Sequence, residues 1–281
     1  MKKLITMAAI AALSITIGSG ISQAQIVTPS PSPLGKVEQR VGVTDITLTY
    51  SRPSVKGRKV FGELLAFGEI WRFGANAPTK IKFADSVKVG GHDLAPGEYA
   101  VYATPGQTEW TIYFGKDTKV QADAFDKEKA AAKLTVKPET TASNTETFTL
   151  QFGDITTNST NLTMAWEKTM VKIPITTEVD KRVMASINST LTDIGPYWAA
   201  ANYYYESDRD LKQALEWTEK TIAKDPAFYR IHLKAKILKK MGDCKGATAA
   251  AELSKTKSVE AKNKAYTDMN DKIIADCKGK K

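Results

Sequence analysis

The chain has 281 residues, 40 Lys and Arg against 31 Asp and Glu, a formal charge of +9 and a pI near 9.3. That length suits one large domain or two modest ones. Only two histidines are present, which excludes a His-based metal cluster, and no cofactor is expected.

Residues 1–24 are expected to be a signal peptide. Lys2 and Lys3 form a basic start, Leu4 to Ile17 is apolar but for Thr and Ser, and Ser22-Gln23-Ala24 supplies the small residues of a cleavage site. The apolar run is short for a bilayer span, so an uncleaved membrane helix is the weaker alternative and no transmembrane anchor is expected after cleavage. No Cys follows the run, which argues against a lipid-modified start. The mature protein is expected to begin at Gln25 and to be exported, either to a periplasm or to the outer envelope and medium. In that setting the basic charge reads as a solvated face rather than a nucleic-acid surface. From Thr177 onward 20 Lys and Arg are interspersed with 15 Asp and Glu.

Residues 25–35 read as a Pro/Ser tether, IVTPSPSPL from Ile26 to Leu34. Period-two alternation follows. Ile46, Leu48 and Tyr50 face one way between Thr47, Thr49 and Ser51. Ile81 and Phe83, then Val87 and Val89, continue the pattern to a Gly90-Gly91 turn. Tyr99–Ala103 and Trp110–Phe114 are joined through Thr104-Pro105-Gly106-Gln107, a hairpin turn. Leu134 and Val136, the Phe148, Leu150, Phe152 series, the Leu162, Met164, Trp166 series, and Val171, Ile173 and Ile175 complete the set. The spacing predicts an antiparallel β-sandwich, or a barrel-like relative of it, over residues 36–176.

The period changes near Thr177. Val179, Val183, Ile187 and Leu191 form a helical stripe. Trp198, Asn202, Tyr205, Ala214, Thr218 and Thr221 then align, at a constant offset, with Ile231, Ala235, Leu238, Ala247, Ala251 and Ser254. This is the spacing of a tetratricopeptide-like repeat of two antiparallel helices, with a capping helix expected over about Ser258–Ala275. Residues 177–281 are therefore assigned to a short α-helical repeat domain, with Trp198 and Tyr205 in its core and Tyr203 and Tyr204 on a concave surface open to a protein partner. An oxidising compartment favours a Cys244–Cys277 disulfide, with two buried thiols as the competing reading.

The segment between the first two predicted strands stands apart. Tyr50-Ser51-Arg52-Pro53-Ser54-Val55-Lys56-Gly57-Arg58, Val60-Phe61-Gly62 and Ile70-Trp71-Arg72-Phe73-Gly74-Ala75-Asn76 resemble one family. So do Leu94-Ala95-Pro96-Gly97-Glu98-Tyr99, Glu109-Trp110-Thr111-Ile112 and Trp166-Glu167. The family is the bacterial domain of unknown function numbered 2911, often followed by a helical-repeat tail. The resemblance covers about residues 36–176, with Phe73 standing where a smaller polar residue is expected. It implies an exported β-rich module and lends no activity.

Chemical signatures are sparse. There is no Gly-x-Ser-x-Gly elbow, no His-Glu-x-x-His pair and no phosphate-binding Gly-Lys-Ser/Thr loop, so no catalytic residue is assigned. Arg52, Lys56, Arg58, Trp71, Arg72 and Asn76 are the candidate ligand residues. Guanidinium groups bind carboxylates bidentately and an indole stacks on rings, which suits an anionic glycan or a carboxylate. The competing reading makes Trp71 a plug that closes the end of the β domain, with Arg52 and Arg58 bound to nearby acids or carbonyls. The expected function is a non-enzymatic envelope module binding through residues 52–76, the repeat groove or both. The alternative is a hydrolase using a carboxylate pair drawn from Asp85, Asp93, Glu98 and Glu109.

Overall fold

The computed structural model describes residues 28–191 and 196–279, so the segment expected to be a signal peptide lies outside the described residues. Apart from two single-turn 3-10 helices, Ala122–Ala124 and Lys127–Lys129, the regular elements in the first part of the described chain are strands: β1 (Leu34–Val41), β2 (Thr44–Ser51), β3 (Thr79–Phe83), β4 (Val87–Val89), β5 (His92–Leu94), β6 (Gly97–Thr104), β7 (Trp110–Gly115), β8 (Ala132–Val136), β9 (Glu139–Gly153) and β10 (Ser159–Thr177). They form a six-stranded sheet, order β1-β2-β3-β6-β7-β8, and a four-stranded sheet, order β5-β4-β10-β9. The pairings within both sheets are antiparallel.

The alternation in the sequence sets the faces. In β2, Ile46, Leu48 and Tyr50 are buried while Asp45 is exposed and Thr47 and Thr49 are half-buried. In β8, Ala132, Leu134 and Val136 are buried and Lys133 and Thr135 exposed. One hydrophobic cluster draws on both sheets: Ile46, Ile81, Val101 and Ile112 from the larger, Val89, Leu150, Leu162 and Ile173 from the smaller. Two devices join the sheets. After β2 the chain crosses over, and Val55 N–H donates to Glu146 O while Phe148 N–H donates to Pro53 O, adding residues 53–55 to the free edge of β9. At the other margin Gly90 turns β4 into β5 with φ +56°, and a Cβ there would come within 2.4 Å of Leu134 on β8.

The helices follow: α1 (Val179–Thr190), α2 (Tyr197–Glu206), α3 (Leu211–Lys224), α4 (Phe228–Lys240), α5 (Cys244–Glu260) and α6 (Lys264–Cys277). Asp210, Asp243 and Asn263 cap α3, α5 and α6 by accepting from backbone N–H groups of the first turn. Of the positions aligned by the sequence offset, those on α3 and α5 are small and buried: Ala214 and Ala247, Thr218 and Ala251, Thr221 and Ser254. Such residues let helix pairs approach closely. Arg182 of α1 ties the helices to the strands, donating to Val43 O and Asp85 Oδ2, both at 2.5 Å, and to Thr44 Oγ1 at 3.2 Å.

Cys244 opens α5 and Cys277 closes α6. Both are buried, and the pair approaches to 2.6 Å without a disulfide, a bond that requires about 2.05 Å between sulfurs. No described helix is long and apolar enough to cross a membrane.

Candidate functional site

Residues 52–76 close one end of the space between the sheets. Trp71 bridges β6 through two backbone bonds with Ala103, at 2.7 and 2.8 Å, which turns its indole inward. There it meets Phe61, Phe73, Trp110, Phe148 and Trp166 with ring centroids 5.3–6.4 Å apart. Its Nε1–H donates to Gly74 O at 2.9 Å, so the indole is both packed and satisfied. Phe73 is fully buried in the same cluster with φ +52°, a conformation rare for a bulky residue, and Thr79 Oγ1 donates to its carbonyl. This is why a Phe suits a position where a small polar residue was expected: its ring completes the cluster.

The cations of the segment are dispersed. Arg52 reaches β9, donating from Nε to Phe148 O at 3.2 Å and from Nη2 to Thr149 Oγ1 at 3.0 Å. Arg58 folds back on its own segment, to Val55 O at 2.9 Å and Ser54 O at 2.7 Å. Lys56 turns the chain at φ +50°, and its backbone N–H donates to Glu146 Oε1 at 2.8 Å. Asn76 is exposed, with long contacts of 3.4 Å to Ser32 O and Ser51 Oγ. Arg72 is half-buried, and its Nε is buried without a hydrogen-bond partner among the described residues. Glu167, in the Trp166-Glu167 pair, accepts from Val60 N–H at 3.1 Å and so pins the segment from β10.

Three of the four carboxylates weighed for hydrolysis pair with cations: Asp85 with Arg182, Asp93 with Lys88, and Glu98 with Lys80 at 3.7 Å, while Glu109 is exposed. Among the described residues no three His, Cys, Asp or Glu side chains gather as a metal site.

On the helices Tyr203, Tyr204 and Tyr205 are all half-buried and pack against one cluster, so Tyr205 lies in the core as expected while Trp198, Tyr203 and Tyr204 depart from the repeat pattern. Tyr203 donates to Asp180 of α1 at 2.8 Å and Tyr204 packs edge-on against Trp217, 4.7 Å away, so both face inward. Trp198 is 38% exposed and sits edge-on to Tyr229 of α4. Tyr205 lies under Lys236 and Lys240, whose ammonium groups are 4.3 and 4.7 Å from its ring centre. The physical reason is α1. Its Asp180 takes the Tyr203 hydroxyl, while Trp198 and Tyr205 meet Tyr229 and Lys236 of α4.

A second cluster was not visible in the sequence. Ser254 Oγ donates to Phe228 O, Asn270 Nδ2 donates to Ser254 Oγ, and Asn270 Oδ1 meets His232 Nδ1, each at 2.8 Å. All three side chains are buried. With Asn270 Oδ1 accepting, Nδ1 carries the proton of the neutral imidazole. Burial holds the His232 pKa below the usual histidine value, the Asn270 bond opposes that, and Lys236 reinforces it.

A family model described as a protein of unknown function (DUF2911) matches residues 32–175, just over half of the chain. No curated protein and no solved structure matches it. The chain belongs to the DUF2911 family.

Proposed function

We propose that this family member is an exported, non-enzymatic binding module: a two-sheet β-sandwich closed by residues 52–76, carrying a short tetratricopeptide-like tail that receives a protein partner. The observation that carries the reading is the half-open aromatic pair Trp198 and Tyr229 on the face shared by α2 and α4, with the Arg230 guanidinium 5.4 Å from the Tyr229 ring centre. Trp and Tyr that remain partly exposed, with cations beside them, are the residue types that dominate protein interfaces. Export is supported by the basic, apolar, small-residue order of residues 1–24. The approach of Cys244 to Cys277 supports a disulfide once the protein meets an oxidising compartment, where two thiols pass two electrons and two protons to a disulfide oxidant.

Co-sedimentation of the purified mature protein with cell envelopes of its native host tests the reading. The wild type should pellet with the envelopes, and Trp198→Ala with Tyr229→Ala should remain in solution. Equal sedimentation of both, with unchanged circular dichroism, would remove the helical face from the proposal.

A further inference from the structure

The same closing segment that buries Trp71 leaves a small cleft beside it. Phe67 forms one wall and Trp110 the floor, and Gln107, Glu139, Thr140 and Thr169 supply the polar lining. The cavity is about 130 Å3, far below the several hundred Å3 of a drug-sized pocket, which suits one ring or the end of a chain.

Each side of the cleft has a structural cause. Along β10 the inward series Val171, Ile173, Ile175 is apolar and fully buried. Two residues earlier the same register position is Thr169, whose cross-strand partner on β9 is Thr140. The inner face therefore changes from methyls to paired hydroxyls where the space between the sheets opens. Phe67 is 39% exposed and its ring lies over Gly62, where φ is +92° and a Cβ would come within 2.8 Å of the ring. A larger residue at position 62 would displace that wall. Glu139, Thr140 and Gln107 are exposed. Among the described residues, none of the four polar side chains has a hydrogen bond or ion pair within the protein.

An open aromatic edge with a carboxylate, an amide and two hydroxyls, all uncommitted, is a donor and acceptor set matched to vicinal hydroxyls. Each hydroxyl both donates and accepts, and a sugar ring offers a C–H face to an aromatic wall. The lining holds a carboxylate and no cation, so it disfavours the anionic ligand expected from Arg52–Asn76. We infer that this cleft is a binding subsite for one ring of a neutral saccharide, with Phe67 as its stacking wall and Glu139 and Gln107 as its hydrogen-bonding groups. The inference rests on the reading of the β unit as a binding module and names its ligand class.

Saturation-transfer NMR on the whole mature protein tests it with the methyl glycosides of glucose, galactose, mannose and N-acetylglucosamine, and with galacturonic acid and choline beside them. At least one neutral glycoside should bind with about millimolar affinity, as expected for so small a contact. Phe67→Ala and Glu139→Gln should each weaken it about tenfold or more, and Val259→Ala, at an exposed position of α5, should leave it unchanged. Tighter binding of galacturonic acid or choline than of every neutral sugar would overturn the ligand class. Equal binding by Phe67→Ala would overturn the site. If no glycoside binds while envelopes still pellet the protein, the saccharide inference falls and the module reading stands.

Discussion

The two halves of the molecule are held together by different physics. The β unit has one apolar cluster shared by both sheets, with Trp110, Trp166, Phe73, Phe83, Phe114 and Phe148 among its largest fully buried side chains. Its ion pairs are peripheral and mostly join neighbouring turns or strands, as in Arg40–Asp45 and Lys88–Asp93. The helical unit has two smaller clusters rich in alanine. Several of its ion pairs bridge different helices: Lys234 to Glu219, Lys236 to Glu206, Lys239 to Asp276, Lys255 to Asp271. Such exposed pairs contribute little singly, about 0–1 kcal/mol. The helical unit thus has less buried area to draw on and depends more on small-residue contact, its buried polar chain and its cysteines. Large-to-small changes should act on the strands, whereas redox state and pH should act on the helices.

The largest expected effect is in the strands. Trp71→Ala empties the centre of the aromatic cluster and should cost about 3–5 kcal/mol. Tryptophan fluorescence during urea unfolding should show an early transition while the helical signal at 222 nm keeps its midpoint. Unchanged stability in this variant would mean that Trp71 is an available ligand platform rather than a plug, and the contrast between the units would fail.

Next is the cysteine pair, which separates the units by redox state. A bond between Cys244 and Cys277 closes a loop of about 33 residues and should stabilise the helical unit by up to about 3.7 kcal/mol in the loop-entropy account. Reductant should therefore lower the 222 nm melting temperature and leave the strand transition in place. Alkylation of the unfolded, unreduced protein isolated from the envelope should label neither cysteine; two labels would refute the bond.

These contrasts show what can be read from sequence and what cannot. The alternation of β2, β8 and the second half of β10 is legible because one face of each is buried against the other sheet. β1 is not. Its alternate positions are only half-buried, and Lys36, Glu38 and Arg40 point outward along an edge, so the strand resembles a polar extension of the tether while pairing along its whole length with β2. The identity of Trp71 as a candidate was legible from composition, but its environment depends on a bridge to Ala103 that no local pattern records. The cleft was invisible for the same reason. Thr140 lies in a run that reads as a polar loop, and only the β9–β10 register, shifted between Glu167 and Thr169, sets it opposite Thr169. The repeat spacing located the small buried residues of α3 and α5. It placed Trp198 in the core, where the structure leaves it 38% exposed, and left Tyr203 and Tyr204 open, where both pack against the same cluster as Tyr205.

A smaller effect is expected from pH and again falls on the helices. The folded-state pKa of His232 is depressed, chiefly by burial. A depressed histidine favours the neutral form, so its stabilising contribution is complete above the ordinary value near 6.5 and is lost as pH falls toward the folded pKa. The groups around it are Asn270 and Tyr266 on α6 and Lys236 on its own helix, and none is an acid that would welcome a second proton. Melting of the helical signal should drop between pH 7 and 5, and His232→Gln should flatten that slope. A slope unchanged by the substitution would assign the acid sensitivity to the surface carboxylates instead.

The smallest expected effect tests whether charge matters to the strands at all, by comparing two arginines of one segment. Arg52 donates to Phe148 O and Thr149 Oγ1, both on β9. Arg52→Ala removes two bonds that hold the crossover to the second sheet, and should cost about 1–2 kcal/mol, the ordinary value for part-buried hydrogen bonds. Arg72 is in the opposite situation, since its buried Nε has no partner among the described residues to lose. Its truncation removes a polar atom that is already desolvated and unpaired, so the cost of lost stem packing is offset by relief of that desolvation. Arg72→Ala should therefore move stability by no more than about 0.5 kcal/mol. Paired urea titrations of the two variants, read by fluorescence, make the comparison. A loss above about 2 kcal/mol at Arg72 would reveal a buried charge pair, and the strands could then no longer be described as held by apolar packing alone.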